Sequence, residues 1–312
     1  GFLSIGLNKK EMQVSYDIFD AMKKVIIKAN LVSKFKSINN TDIFKMEYWP
    51  LERAKLNNQN TKKFNGNVAV ITGGAGKIGS AIANKFINEN IEVILLDKNF
   101  KNLDKNIKKK CLCIECDLTN NSQINKAINK ILKLFGGIDI LIANSGAAFQ
   151  GSMLNVKKDI LEKSLEVNFY SHHNIVQKIA NIMVSQGFGG SISLNLSKQS
   201  INPGKDFGPY GIAKASSLFS MKQYALEFGK YNIRVNGINA DRIKSGLLTD
   251  QFIKERAKAR NMSSTEYLNN NLLQKQVTAE DVAEAFFAQL SFEKTTGNII
   301  TVDGGNIEAS LR

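Results

Sequence analysis

The stretch Val68-Ala69-Val70-Ile71-Thr72-Gly73-Gly74-Ala75-Gly76-Lys77-Ile78-Gly79 decides the fold. A short run of β-branched and apolar residues ending at glycine has the pattern of a buried strand, and the apolar spacing that follows is that of a helix. At such a junction, glycines 73, 76 and 79 serve a tight turn, close backbone approach to a pyrophosphate, and close packing of helix on strand. The N–H groups that open a helix favour an anion, which makes Gly73, Gly76, Lys77, Ile78 and Gly79 candidate phosphate-cradling residues. A glycine triplet alone is weak evidence. Here Asp97 joins it, 18 residues past Gly79 at the end of the next apolar run. A carboxylate there accepts hydrogen bonds from a ribose 2′-hydroxyl and repels a 2′-phosphate, so NAD is favoured, while the neighbouring Lys98 leaves NADP admissible.

Outward from this junction, strand and helix patterns alternate. Strand candidates are Val68–Thr72, Glu92–Asp97, Cys111–Cys116, Ile138–Asn144, Ser191–Ser197, Arg234–Asn239 and Ile299–Val302. Helical patterns fall around 78–89, 121–135, 158–186, 210–229 and 279–290. The alternation predicts an α/β fold, a Rossmann-type doubly wound seven-stranded parallel sheet, with ligands at the carboxyl ends of its strands. Upstream the pattern changes. Gly1–Leu7 reads as a strand, and Lys9–Ala29 as an amphipathic helix with Met12, Tyr16, Phe19, Met22 and Ile26 along one face. Asn-rich turns and the segment Phe44–Lys55 follow, and residues 56–65 are polar and basic, like a linker. The expected division is a short N-terminal extension over 1–60 and the main domain over 61–312.

Composition limits the partners. The 312 residues carry a net charge of +14 and 43% hydrophobic residues. The excess charge is mostly dispersed lysine, without the Arg-rich stripe or aromatic interleaving of a nucleic-acid surface, so no nucleic-acid partner is expected. A positive surface still steers anionic cofactors and phosphorylated substrates inward. The longest basic cluster, Lys108–Lys110, is expected in a loop. No apolar run reaches the ~18 residues of a membrane span. The opening Gly-Phe-Leu-Ser lacks both signal-peptide order and an initiator Met, so a fragment or processed chain in the cytoplasm is expected. Cys111, Cys113 and Cys116 lie too close together for a disulfide framework, and a zinc site wants four ligands. They are read as core cysteines on alternating sides of a strand in a reducing compartment, and no metal is expected.

A second constellation is Tyr210-Gly211-Ile212-Ala213-Lys214, with Ser197 thirteen residues before the tyrosine. Positions i and i+4 share a helix face, so Lys214 sits beside the Tyr210 ring. An ammonium ~4 Å from a phenol, at an effective dielectric of ~20, stabilises the phenolate by ~4 kcal/mol, or about three pK units. That predicts a Tyr210 that titrates near neutrality, where an acid/base catalyst is useful.

Together, Thr72–Gly79, Asp117 after the third strand, Asn144-Ser145-Gly146, Asn168, Ser197, Tyr210 with Lys214, and the closing run Thr296–Gly305 resemble the short-chain dehydrogenase/reductases in order and spacing, over roughly residues 66–312. The resemblance implies that Tyr210 is the general acid/base and that Lys214 holds the nicotinamide ribose. It further implies that Ser197 positions the substrate oxygen and that Asn168 completes a proton relay through a bound water. It places Asp117 at the adenine, with Leu118 beside it among the cofactor-binding residues, and Asn144 at the adenosine. By the same likeness the helices around 158–186 and 210–229 pair between subunits, which implies a homodimer or homotetramer.

There are departures. Lys77 stands where shorter members carry glycine, and Asn239-Ala240-Asp241-Arg242 replaces the usual Pro-Gly after the sixth strand. Arg242 is open to two readings, an anchor for a substrate anion or an ion pair with Asp241 or another acid. Residues Glu47–Lys55, Asn239–Leu248 and Val302–Asn306 resemble the dehydrogenase half of bifunctional proteins in which a class II aldolase of the rhamnulose-1-phosphate type precedes the dehydrogenase. Residues 1–60 are then the tail of the aldolase half plus linker. His172 and His173, read as helix surface or packing, supply no aldolase zinc site. The implied activity is hydride transfer between NAD(P) and a small hydroxy-aldehyde, polyol or sugar derivative, lactaldehyde among them. The alternative is a cofactor-binding sensor or scaffold without turnover.

Overall fold

A computed structural model describes residues 2–6, 8–47, 62–246 and 248–306. The chain divides into two compact units, Gly1–Gly66 and Asn67–Arg312.

The first unit holds α1 (Lys9–Val32) and α2 (Asn40–Glu47). Asn8 starts α1 by accepting the Glu11 N–H on its side chain at 3.0 Å. Residues 2–6, expected as part of a strand, carry no regular structure. They lie along α1 instead, with the Phe2 ring 3.6 Å from the Phe19 ring centroid and the Ser4 hydroxyl donating to the Met12 carbonyl at 2.8 Å. The segment 48–61, which holds most of Phe44–Lys55 and of the expected linker, lies outside the described residues, as does Leu247.

The second unit begins with β1 (Val68–Thr72), α3 (Lys77–Asn88), β2 (Glu92–Asp97), α4 (Lys105–Lys110), β3 (Leu112–Glu115), α5 (Asn121–Phe135) and β4 (Ile140–Ala143). It continues with α6 (Lys158–Leu165), a π-turn (Glu166–Tyr170), α7 (Ser171–Gln186), β5 (Gly190–Asn195), α8 (Gly208–Phe228) and β6 (Ile233–Ala240). The last elements are α9 (Asp250–Lys258), α10 (Ser264–Asn269), α11 (Ala279–Leu290) and β7 (Ile299–Val302). The sheet is parallel, in the order β3-β2-β1-β4-β5-β6-β7. Every residue of β1 and of β4 is buried, as expected for central parallel strands covered by helices on both faces. The strand order reverses between β1 and β4, where Val70 pairs with Leu141, so a crevice opens at their carboxyl ends. Among the described residues no helix is long and apolar enough to cross a membrane.

Several expectations are corrected. Lys108–Lys110 end helix α4 rather than lying in a loop, where three cations suit the negative end of the helix dipole. β3 covers only Leu112–Glu115. Cys111 and Cys113 do not alternate but share a side, their sulfurs 3.9 Å apart. Burial pushes the Cys111 thiol up to about 12 and the Cys116 thiol up to about 11, so both stay protonated and unreactive. The helical pattern over 158–186 is interrupted at Glu166–Tyr170, where the Ser171 N–H reaches back five residues to the Glu166 carbonyl. The helices α9 and α10 were not expected at all.

The glycine turn is packed too tightly for side chains. A Cβ at Gly79 would stand 2.8 Å from the Gly74 Cα, a backbone atom that cannot rotate away. Gly79→Ala is therefore expected to destabilise the second unit by about 1–3 kcal/mol, read as a fall of several degrees in Tm. An unchanged Tm would mean that the turn can yield.

Candidate active site

The glycine turn forms one wall of the crevice. Gly73 takes φ +62°, and a Cβ there would meet the Ser145 Cα at 2.8 Å. Gly76 caps α3 without any side-chain acceptor, so the leading N–H groups of the helix are left for an anion. Gly76 and Lys77 are exposed at this mouth, Ile78 is half-buried, and Gly79 is buried beneath them. The backbone thus fits the pyrophosphate of a dinucleotide. Asp97 lies at the floor of the turn, accepting the Ala75 N–H at 2.9 Å and the Lys98 N–H at 2.7 Å.

Lys98 reaches across to Asp117 at 2.9 Å. Burial works to raise the Asp117 carboxyl, but hydrogen bonds from Thr119 and Lys98 outweigh it and hold the group below its usual range. Lys98, the cation that would soften a preference for NAD, is therefore engaged with a carboxylate. Leu118, beside Asp117, is buried.

Asn144 stands at the switch point and is fully engaged by the sheet. Its amide nitrogen donates to the carbonyls of Thr72 (3.0 Å) and Gly73 (3.2 Å), and its oxygen accepts from the Asn195 side chain at 2.8 Å. The Thr72 hydroxyl oxygen accepts the N–H groups of Asn144 and Ser145 at 2.9 and 3.1 Å.

On the β5 side, Ser197 begins a short 3-10 turn, accepting the Gln199 N–H at 3.2 Å, and hydrogen-bonds the Tyr210 hydroxyl. Tyr210 is on the first turn of α8, just after Pro209, and Lys214 follows one turn later. The Lys214 ammonium sits 5.8 Å from the Tyr210 ring centroid and donates to the Asn195 carbonyl at 2.8 Å. The expectation of a near-neutral Tyr210 is not met in the protein alone. Burial pushes its phenol up to about 12, with the Ser197 hydrogen bond pulling the other way. Burial also lowers Lys214 to about 8. The same desolvation penalises phenolate and ammonium, and it outweighs the attraction on which the expectation rested.

Asn168 lies within the π-turn. Its side chain is held by Ala147, whose N–H it accepts and whose carbonyl it donates to, both at 3.0 Å. Its backbone carbonyl accepts the Ser217 hydroxyl at 2.9 Å. His172, one turn on, is buried with Nε2 at 2.6 Å from the Ser145 carbonyl, which can only accept, so Nε2 carries the proton. Burial first, and then the Lys214 charge, lower His172 to about 3 and keep it neutral.

Tyr210, Ser197 and Asn195 open onto a cavity of about 350 Å³ whose far wall comes from α9, α10 and the loop after β6. Arg242 lies in this wall with φ +54°. It donates to the carbonyls of Tyr267 (3.1 Å) and Asn270 (2.9 Å), and its Nε is 3.6 Å from Asp241, so the ion-pair reading describes it better than the anchor reading. Phe207, Phe252, Arg256, Arg260 and Tyr267, none of them expected from the sequence, also line this cavity. One signal was available. Ser263 and Glu266 form a capping box that marks the start of α10.

Residues 73–306 match the family described as Enoyl-(Acyl carrier protein) reductase, and residues 1–56 match Aldolase class II, second domain. The chain is 30% identical, over 98% of its length, to the uncharacterized oxidoreductase YuxG of Bacillus subtilis, and spans 47% of that protein. It is 27% identical to (+)-cis,cis-nepetalactol synthase NEPS3 of Nepeta racemosa, covering 78% of this chain and 93% of the relative. A crystal structure of NAD+-bound xylitol dehydrogenase shares the fold with a TM-score of 0.72 at 23% identity, covering 78% of this chain and all of the other. The glycine turn and the Ser197–Tyr210 pair thus lie in a chain that belongs to the short-chain dehydrogenase/reductase family of oxidoreductases, with an aldolase-type segment ahead of the dehydrogenase part.

Proposed function

We propose that the second unit transfers a hydride between a nicotinamide cofactor, NAD in preference to NADP, and the alcohol or aldehyde carbon of a small hydroxy-aldehyde, polyol or sugar derivative. The reading rests on one observation: the Ser197–Tyr210 hydrogen bond, with the Lys214 ammonium beside the ring, opens onto a cavity that Ile78, at the start of the helix after the glycine turn, also lines. Gly73, Gly76, Lys77, Ile78 and Gly79 hold the pyrophosphate, Asp97 the adenosine ribose, and Asp117 with Leu118 the adenine, near Asn144. When bound, the cofactor supplies the hydride acceptor or donor and, when oxidised, a positively charged ring. Ser197 orients the substrate oxygen, and Tyr210 takes or returns its proton. Lys214 holds the nicotinamide ribose and favours negative charge on the phenol as its proton leaves, and Asn168 supports the proton path. The domain division at 60/61, a cytoplasmic setting and a small-molecule substrate belong to the same reading. The high proton affinity of Tyr210 favours a second reading, a cofactor-binding scaffold without turnover.

An absorbance screen of small aldehydes, sugars and polyols with NAD and NADP separates the two. Turnover is expected with at least one substrate, faster with NAD, and reduced about 10²–10⁴-fold in Tyr210→Phe, the usual contribution of a general acid/base. Full activity in Tyr210→Phe would remove the assigned chemistry.

Alcohol oxidation needs the deprotonated phenol. With Tyr210 raised, that form is scarce at neutral pH and increases as pH rises. Oxidation is therefore expected to accelerate from pH 6 to 8, then rise less steeply as Lys214 loses its charge near 8. An oxidation rate that falls between pH 6 and 8 would contradict this assignment.

We also propose that α7 and α8 pair between copies of the chain as a homodimer or homotetramer. Their outer face carries a groove lined by Phe169, Val184, Phe219, Tyr224 and Phe228, with Phe219 71% exposed. Phe219→Glu is expected to yield a smaller species in light scattering, and an unchanged mass would discard this face.

A further inference from the structure

The cavity in front of Tyr210 carries more positive charge than its own acids can neutralise. Lys198, Lys205, Arg242, Arg256 and Arg260 all line it, against Asp241 as the sole carboxylate among the described lining residues. Asp241 is already committed. It accepts Lys198 at 3.0 Å and the Asn306 side chain at 2.6 Å, with Arg242 Nε at 3.6 Å. Arg242 is further held by two backbone carbonyls.

That leaves Lys205, Arg256 and Arg260, none of which has an acidic partner among the described residues. Arg256 lies over the rings of Phe207 (4.8 Å) and Phe252 (5.1 Å), which fix the plane of its guanidinium, and it donates one N–H to the Lys205 carbonyl at 3.2 Å. Arg260, four residues on, lies over Tyr267 at 5.5 Å and donates to the Arg256 carbonyl at 3.3 Å. Like charges at this spacing repel. The dipole of α9 accounts for a cation in its last turn, but not for Lys205, which enters the same cavity from the loop before α8. The Phe207 ring also meets the Tyr210 ring edge-on at 6.2 Å, so a single aromatic ring separates the Arg256 guanidinium from the candidate acid/base.

We propose that Lys205, Arg256 and Arg260 form an anion subsite, which binds the terminal carboxylate or phosphate of a short hydroxy or carbonyl substrate whose reacting carbon stands at Tyr210. Carboxylate and phosphate share the oxygen geometry that a guanidinium fork binds in two-point fashion, and a chain of a few carbons spans the width of one ring. The subsite extends the hydride-transfer reading of the cavity by naming the substrate class, and it depends on that reading for the position of the reacting carbon.

Calorimetric titration of the NAD-saturated chain with inorganic phosphate and with acetate, the glycine turn then being filled by the cofactor, probes the subsite without turnover. Saturable binding of at least one is expected, weakened at least about tenfold (~1.4 kcal/mol) in Arg256→Gln and in Arg260→Gln. It should persist in Tyr210→Phe and in Lys109→Gln, the latter a charge removal on the exposed surface of α4. Phosphate binding more tightly than acetate assigns a phosphorylated substrate, and the reverse a hydroxy or keto acid. Arg260 is exposed, so its variant keeps the test decisive if Arg256→Gln, which loses two ring contacts, fails to fold. In turnover, the kcat/KM ratio of a triose phosphate or hydroxy acid over its neutral counterpart should fall at least about tenfold in either arginine variant. Absence of binding by both anions, or arginine variants that bind like the wild type, would overturn the subsite. Arginine-dependent anion binding without any turnover would overturn the hydride-transfer reading and leave the subsite standing.

Discussion

The carboxyl ends of β1, β4 and β5 are tied together through one asparagine. Asn144 donates to the Thr72 and Gly73 carbonyls and accepts from Asn195, while Thr72 holds the backbone of Asn144 and Ser145. Asn195 in turn gives its carbonyl to the Lys214 ammonium. A continuous run of hydrogen bonds therefore joins the glycine turn to the lysine of the candidate catalytic pair, across the point where strand order reverses. Each group in it is at least half-buried, so loss of a partner leaves another polar atom unsatisfied, at ~1–3 kcal/mol. Replacing Asn144 would disturb both the cofactor cradle and the Lys214 position, and the structure gives it this linking role alongside the adenosine contact that the family resemblance implies.

Much of this was legible in the sequence, and the particular residues show why. Val68–Thr72 and Glu92–Asp97 are continuous apolar runs because parallel central strands are covered on both faces, and their bounds coincide with those expected. The turn after β1 was legible because only glycine fits at Gly73 and Gly79. The π-turn at Glu166–Tyr170 was not, since inserting one residue into a helix leaves its apolar spacing almost unchanged. The wall formed by α9 and α10 was missed for another reason. Its side chains are charged, its helices are short, and a stacked arginine looks like any surface arginine until Phe207, Phe252 and Tyr267 are seen beside it. Residue types at set spacings located Tyr210, Ser197 and Lys214, but their electrostatics followed from burial depth, which spacing does not encode.

That difference defines the chemistry. Tyr210 and Lys214 form one desolvated pair, in which the phenol clings to its proton and the ammonium holds its own less firmly than in water. Nearby, Asp241 is the carboxylate that the cationic cavity wall shares out among Lys198, Arg242 and Asn306. The crevice thus sets a desolvated candidate proton-transfer centre next to a charge-rich wall. Such a division suits a substrate that reacts at one end and is held by the other, because binding at the remote end can be used to position the reacting carbon.

The measurement that bears most directly on the acid/base assignment is an ultraviolet titration of phenolate absorbance, taken as the difference between the wild type and Tyr210→Phe, with and without NAD. Without cofactor, Tyr210 should ionise above the ordinary phenol range, in keeping with its burial. With NAD bound, the positive ring should shift its ionisation down by a unit or more, each unit being ~1.4 kcal/mol. A Tyr210 whose ionisation does not respond to NAD would contradict the account.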